Sequence, residues 1–144
     1  MGDDVNTVVG AVAGVWLGMV LAISFLEAPL KFRAPGVTLA LGLGIGRIVF
    51  AALNRAEVVL ALAVLLAAVF GPHPVGLVVA GAVAYAALVA QLVLVRPLLV
   101  RRSNRVLRGE QGPRSRAHHA YVALEAVKVV ALVGLAWTAL QPTT

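Results

Sequence analysis

The sequence predicts an all-α polytopic membrane protein, a single bundle of four transmembrane helices with both termini outside. Three observations predict it. Hydrophobic residues make up 61% of the 144, with a mean hydropathy of +0.98, and a chain of this length has room for about four spans of roughly 20 residues. Four apolar stretches of suitable length follow one another. The twelve Lys and Arg residues all fall on, or just inside, one side of such a bundle. Residues 1–6 carry Asp3 and Asp4 but no Lys or Arg, and residues 71–74 and 141–144 have none. The connection 96–116 carries Arg96, Arg101, Arg102, Arg105, Arg108, Arg114 and Arg116. Lys and Arg are retained on the cytoplasmic side, so this positive-inside pattern orients the chain as a multi-pass protein of the cell (inner) membrane.

The first span is expected over residues 6–26. It is not read as a cleaved signal peptide, because two aspartates and no basic residue precede it. Pro29 and Pro35 bracket a bend in the connection that follows, since a proline disfavours a helical residue before it. Hydrophobicity is nearly continuous over 37–70, interrupted by Arg47, Asn54, Arg55 and Glu57. The second span is placed at 48–70, with 37–47 as an interfacial, helical lead-in. A second span ending near residue 53, with 58–70 re-entrant, ranks lower because it strands an apolar run too short to cross. Gly71-Pro72-His73-Pro74 reads as a tight turn, making the second and third spans an antiparallel hairpin. The third span is expected over 75–95, the basic cytoplasmic connection over 96–116 with a polar turn at 109–115, and the fourth span over 119–140.

The formal charge of +6 and a pI near 11.2 would suggest nucleic acid in a soluble protein. Topology and attraction to anionic lipid headgroups account for it here, and no aromatic-interleaved basic surface argues for nucleic acid. The absence of cysteine excludes disulfides, thiolate catalysis and thiolate metal sites. No Ser-His-Asp set, phosphate-binding loop, zinc-protease motif or paired-carboxylate motif is evident, so no catalytic residue, cofactor or metal ligand is assigned.

Gly10, Gly14 and Gly18 form G-x-x-x-G-x-x-x-G, a glycine zipper on one face of the first span that lets another backbone approach closely. It reads as packing within the bundle or, more sharply, as a homodimer interface. Gly42, Gly44 and Gly46 do not make a dinucleotide fingerprint, having no preceding strand and the wrong spacing. They let the lead-in helix bend or pack. The stretch 98–108 alternates apolar residues with Arg101, Arg102, Arg105 and Arg108. It reads as a stop-transfer flank, or as a basic amphipathic helix on the inner leaflet touching anionic headgroups.

Ionisable residues inside the spans carry more information, because charge in hydrocarbon is costly. Arg47, Asn54 and Glu57 lie within about 80° of one another on a helix, while Arg55 points away from Glu57 and can snorkel. Glu125 and Lys128 share a face of the fourth helix. At about 1.5 Å per residue, Glu57 and Lys128 each lie roughly 14 Å from the cytoplasmic end, so they can face each other. Glu27 and Gln91 fall toward that same end. The pattern predicts a polar pocket open, or nearly open, to the cytoplasm and closed outward by Leu, Val and Ala. The bland alternative is a satisfied Glu57–Lys128–Glu125 network that fixes helix register. Adjacent His118 and His119 point about 100° apart and do not chelate one metal from one face. Trp137 is assigned to an outer aromatic belt, Tyr121 to an inner one, and Trp16 to packing.

The order of Trp16-Leu17-Gly18, Glu27-Ala28-Pro29-Leu30-Lys31-Phe32, Gly46-Arg47-Ile48-Val49-Phe50 and a His-led last span resembles a family of small bacterial four-helix integral membrane proteins. These carry a domain of unknown function and are distantly similar to copper-resistance membrane domains. The resemblance implies a four-span bundle and no settled activity. Four-helix heme-binding protoporphyrinogen oxidases are similar in size and layout, but they use a first-span His, which this chain lacks.

The leading expectation is thus a protein that binds or transports a small molecule, ion or lipid. Glu57 and Glu125 would act as proton- or cation-binding carboxylates, Lys128 as counter-charge and Asn54 as hydrogen-bonding partner. A structural or accessory subunit docking through the first-span glycine face is the second reading. A heme or redox membrane enzyme is the third.

Overall fold

In a computed structural model that describes residues 2–71, 74–110 and 116–142, the chain forms four long helices. They are α1 (Gly2–Arg33), α2 (Leu39–Val69), α3 (Val75–Leu107) and α4 (Arg116–Ala139), each long and apolar enough to cross a membrane. Met1, Pro72, His73, the segment 111–115 with Arg114, and residues 143–144 lie outside the described residues.

Local chemistry sets the helix ends. Asp3 and Asp4 in the first turn of α1 complement the positive end of the helix dipole. Thr38 caps α2 by accepting a hydrogen bond from the Leu41 N–H at 3.1 Å. At the end of α3, Gly109 turns left-handed with φ of +86°. Its N–H donates to the Val106 carbonyl and the next N–H, of Glu110, to that of Arg105. This is a Schellman ending, in which glycine meets no Cβ penalty.

Two helices are widened in mid-course, and a proline explains each place. α1 has a π-helical stretch at Leu21–Glu27, two residues ahead of Pro29. α3 has one at Gln91–Val95, two residues ahead of Pro97. A proline inside a helix has no N–H to donate, and its ring crowds the carbonyl four residues earlier. Widening the preceding turn relieves both problems without ending the helix. Pro29 therefore does not open the connecting bend; helix continues to Arg33, and the bend occupies residues 34–38, where Gly36 has φ of +82°. Likewise the basic stretch after Pro97 is not a separate helix on a surface. It continues α3 to Leu107 and packs against α2. The lead-in 37–47 is not separate either, for α2 runs uninterrupted from Leu39 through 58–70 to Val69.

The helices are antiparallel neighbours. α4 packs most closely on α3 and then on α1, while α2 lies against α1 and the Pro97 half of α3. Small residues at the closest approaches, Ala13, Ala84, Ala131 and Ala139, leave room for Val9, Trp16, Val20, Leu77, Leu132 and Leu135 to interlock. The outside carries large apolar side chains on every helix, Ile48, Val59, Leu66, Val75, Val130 and Trp137 among them. One end of the bundle, where α1 and α3 finish and α2 and α4 begin, holds the described basic residues other than Arg55 and Lys128. It is called the basic end below.

Candidate functional site

The centre of the site is the Lys128 ammonium, wholly buried on α4. Three oxygens surround it: Glu57 Oε1 of α2 at 2.5 Å, Glu125 Oε1 of α4 at 2.6 Å and Gln91 Oε1 of α3 at 2.6 Å. An ammonium has three N–H donors, so three helices meet on one nitrogen. Glu57, Glu125 and Gln91 are no more than 1% exposed. The remaining helix, α1, contributes two donors to the carboxylates. Trp16 Nε1–H donates to Glu57 Oε1 at 2.9 Å, and Ser24 O–H donates to Glu125 Oε2 at 2.8 Å. The Gln91 amide also donates, at 3.4 Å, to the Tyr121 carbonyl.

Both π-helical stretches serve this centre. Ser24 lies inside the one on α1, and Gln91 opens the one on α3. The prolines that widen the turns thus sit one or two turns from the side chains they help to place.

Two carboxylates face one ammonium, so the fully ionised cluster carries a formal excess of one negative charge. Its oxygens are not all engaged. Glu57 Oε2, Asn54 Oδ1 and the Tyr121 hydroxyl are buried without a hydrogen-bond partner. In a low-dielectric interior such groups are costly, and native structures rarely leave several together.

Of the residues singled out from sequence, Glu57, Glu125, Lys128 and Gln91 are brought into contact. Asn54 is buried one turn from Glu57 on α2, with no bond to the cluster. Arg47 is exposed and donates to Asn104 Oδ1 at 2.6 Å, tying α2 to α3 at the basic end. Glu27 pairs with Lys31 one turn later on α1, at 3.5 Å. The cluster is sealed, each of its members no more than 1% exposed, where an opening toward the cytoplasm was expected. Trp16 covers Glu57, and the buried Tyr121 lies one turn from Glu125.

Tyr121 is not in an interfacial belt. It is buried with its ring edge-on to Phe50, centroids 5.7 Å apart. Lys31 Nζ lies over Phe50 at 5.7 Å and over Phe32 at 5.6 Å. Gly42 and Gly46 explain the fit: a Cβ at Gly42 would overlap the Phe32 ring, and one at Gly46 would stand 2.8 Å from Lys31 Nζ. The His118 and His119 rings stack edgewise, 5.9 Å apart.

Gly10 packs on Ala139, the last residue of α4, and on Leu140 just after it, whereas nothing lies within 4 Å of a Cβ at Gly14 or Gly18. The glycine face therefore divides between the bundle and the outside. Arg101, Arg105 and Arg108 are exposed and Arg102 half-buried on the last turns of α3. An apolar groove lined by Ala80, Val83, Ala126, Val127, Val130 and Ala131 runs outside α3 and α4 and includes none of the charged residues.

Trp16 and Ser24 were missed as site residues. For Trp16 a signal existed, because a buried indole N–H needs an acceptor and a carboxylate such as Glu57 can accept from it as well as from Lys128. Ser24 gave none, since its position depends on the widened turn. No protein family, no curated protein and no solved structure matches this chain.

Proposed function

We propose that this chain is a small multi-pass protein of a bacterial-type inner membrane, termini outside, which binds a proton or small cation at the Glu57–Glu125 pair and exchanges it with the cytoplasm. Lys128 is the fixed counter-charge. The observation that carries the reading is the charge count: two buried carboxylates share one buried ammonium. A purely structural tie would need only one carboxylate, and an uncompensated charge in an apolar interior usually has a use. The sealed geometry corresponds to an occluded state, and the exposed arginines at the basic end would sit among anionic headgroups.

The reading is tested with purified protein in liposomes, measuring proton, Na⁺ and K⁺ flux under an imposed potential. Flux is expected in the wild type and lost in Glu57→Gln and Glu125→Gln. Full flux in both variants would sink the transport role and leave the cluster as a register-fixing tie. Orientation is tested separately. The chain lacks cysteine, so single cysteines at Asp4 and Arg105 report cleanly. An impermeant maleimide added to intact cells should label the first and spare the second.

A second reading, an accessory subunit or homodimer joined through α1, is favoured by the open backbone at Gly14 and Gly18. Native mass in lipid decides it. A monomer unchanged by Gly14→Leu, with no crosslinked partner, removes it.

A further inference from the structure

Deepening that reading, and resting on it, we infer that the particle exchanged at the cluster is a proton, and that the Tyr121 hydroxyl passes it between Glu125 and the basic end. The seat of a metal ion is taken. A cation held by Glu57 Oε1, Glu125 Oε1 and Gln91 Oε1 would lie where Lys128 Nζ lies, within 2.6 Å of all three. Metal cations such as Ca²⁺ or Mg²⁺ need about six or more oxygen ligands, and expelling Lys128 would leave a buried ammonium unpaired. A proton needs no such seat. It adds to one carboxylate oxygen, cancels the excess negative charge and leaves Lys128 in place. The two carboxylates share it as a coupled pair.

The path follows from which side of the cluster offers hydrogen-bonding groups. Away from the basic end, the neighbouring core is Val9, Ala13, Ala61, Leu77, Ala84, Leu132 and Leu135, all apolar. The buried Asn6 lies on that side too, but roughly three turns of α1 beyond Trp16. Toward the basic end come Tyr121, Asn54 and then the Glu27–Lys31 pair. Tyr121 precedes Glu125 by four residues on α4, so the two share a face. Helical side chains lean toward the N-terminus, which tips Glu125 toward the Tyr121 turn and Tyr121 toward the basic end. Glu125, Glu57 and Arg96 are the charges that act on the phenol. Its ring edge meets Phe50, whose own ring lies 5.7 Å from Lys31 Nζ, and Lys31 pairs with Glu27.

The hydroxyl itself needs an explanation. It is buried beside the Glu125 carboxylate without a well-formed hydrogen bond to it, and phenylalanine would fill the same space without burying a hydroxyl. A relay supplies the reason. The phenol O–H bond breaks as its proton goes to a Glu125 carboxylate oxygen, while the phenol oxygen takes a proton from a hydronium ion at the basic end, which leaves as water. Tyr121 finishes neutral, one proton has moved inward, and nothing is oxidised or reduced.

The test is infrared difference spectroscopy of the full chain in lipid, following the carboxylic-acid carbonyl band across a pH titration and its exchange after transfer to D₂O. The wild type should show a protonated carboxyl that disappears in Glu57→Gln or Glu125→Gln and is unmoved by adding Na⁺, K⁺ or Ca²⁺. Tyr121→Phe, which keeps the ring, should keep the band amplitude and slow its exchange by about tenfold or more. A relay acts on rate and not on equilibrium, so loss of amplitude in Tyr121→Phe would mark a structural role and overturn the relay. Exchange at the wild-type rate would overturn it too. Displacement of the band by a metal cation would overturn the choice of proton while leaving the cation-binding reading intact. Absence of a protonated carboxyl at every pH, with full flux in Glu57→Gln, would remove both.

Discussion

Lys128 of α4 and Glu57 of α2 meet at 2.5 Å across a diagonal of the bundle where the two helix backbones have little contact. α2 otherwise rests on α1 and on one half of α3. The ion pair, with the Trp16–Glu57 hydrogen bond, therefore holds α2 to the rest of the bundle at mid-depth. A site whose charge state changes would also change how firmly α2 is held, and this coupling shapes the expected behaviour of the variants.

Removing the ammonium should be the most damaging single change. Lys128→Met leaves two buried carboxylates and the Gln91 carbonyl oxygen facing one another, and breaking a buried pair by one partner costs about 3–5 kcal/mol. The triple change Lys128→Met, Glu57→Gln, Glu125→Gln removes every charge and should recover most of that loss. Reversible unfolding in mixed micelles measures both, and a triple variant no more stable than the single one would contradict the account.

Trp16→Phe tests the donor to Glu57. Losing a hydrogen bond to a charged group costs about 1.5–3 kcal/mol, beyond the loss of ring volume. The loss should shrink when Glu57 is already Gln, because the partner is then uncharged. The same micelle unfolding assay, run as a double-mutant cycle, reads the coupling; strict additivity would deny it.

Pro97 and Gln91 should act as one unit. Pro97→Ala restores a backbone N–H, lets the widened turn tighten and draws Gln91 off Lys128. Gln91→Leu removes that acceptor directly, at a cost of about 1–3 kcal/mol. Combined, the two should cost less than their sum, and additive stabilities would show that the proline does not place the glutamine.

Gly42→Ala and Gly44→Ala lie half a turn apart and should differ. The first must displace the Phe32 ring and loosen the cover over Lys31, with a loss of about 1–3 kcal/mol reduced by the exposure of Phe32. The second meets nothing within 4 Å and should be neutral or gain up to about 1 kcal/mol from helix propensity. Equal effects would mean that Gly42 serves no packing role.

Much of this molecule was legible in its one-dimensional pattern. Four apolar stretches specified four helices, because a long run without polar side chains can satisfy its backbone only internally when solvent is scarce. The pairing of Glu57 with Lys128 was anticipated from equal distances to the expected span starts, but α2 begins at Leu39 and α4 at Arg116, so their meeting also depends on how the two helices are staggered. Glu125 followed from its three-residue offset on the same face.

Tertiary structure decided the rest. Pro29 and Pro97 gave strong local stop signals, yet neighbouring helices held both segments in line, so each proline widened a turn instead of breaking a helix. Those turns rotate Ser24 and Gln91 by amounts no fixed period foretells. Trp16 and Tyr121 look like ordinary apolar punctuation in the sequence, and only the packing of α1 and α2 around α4 brings them to the cluster. Periodicity determines which residues share a face and a depth. Which faces meet, and whether the charge between them is open or sealed, depends on side-chain volumes drawn from all four helices at once.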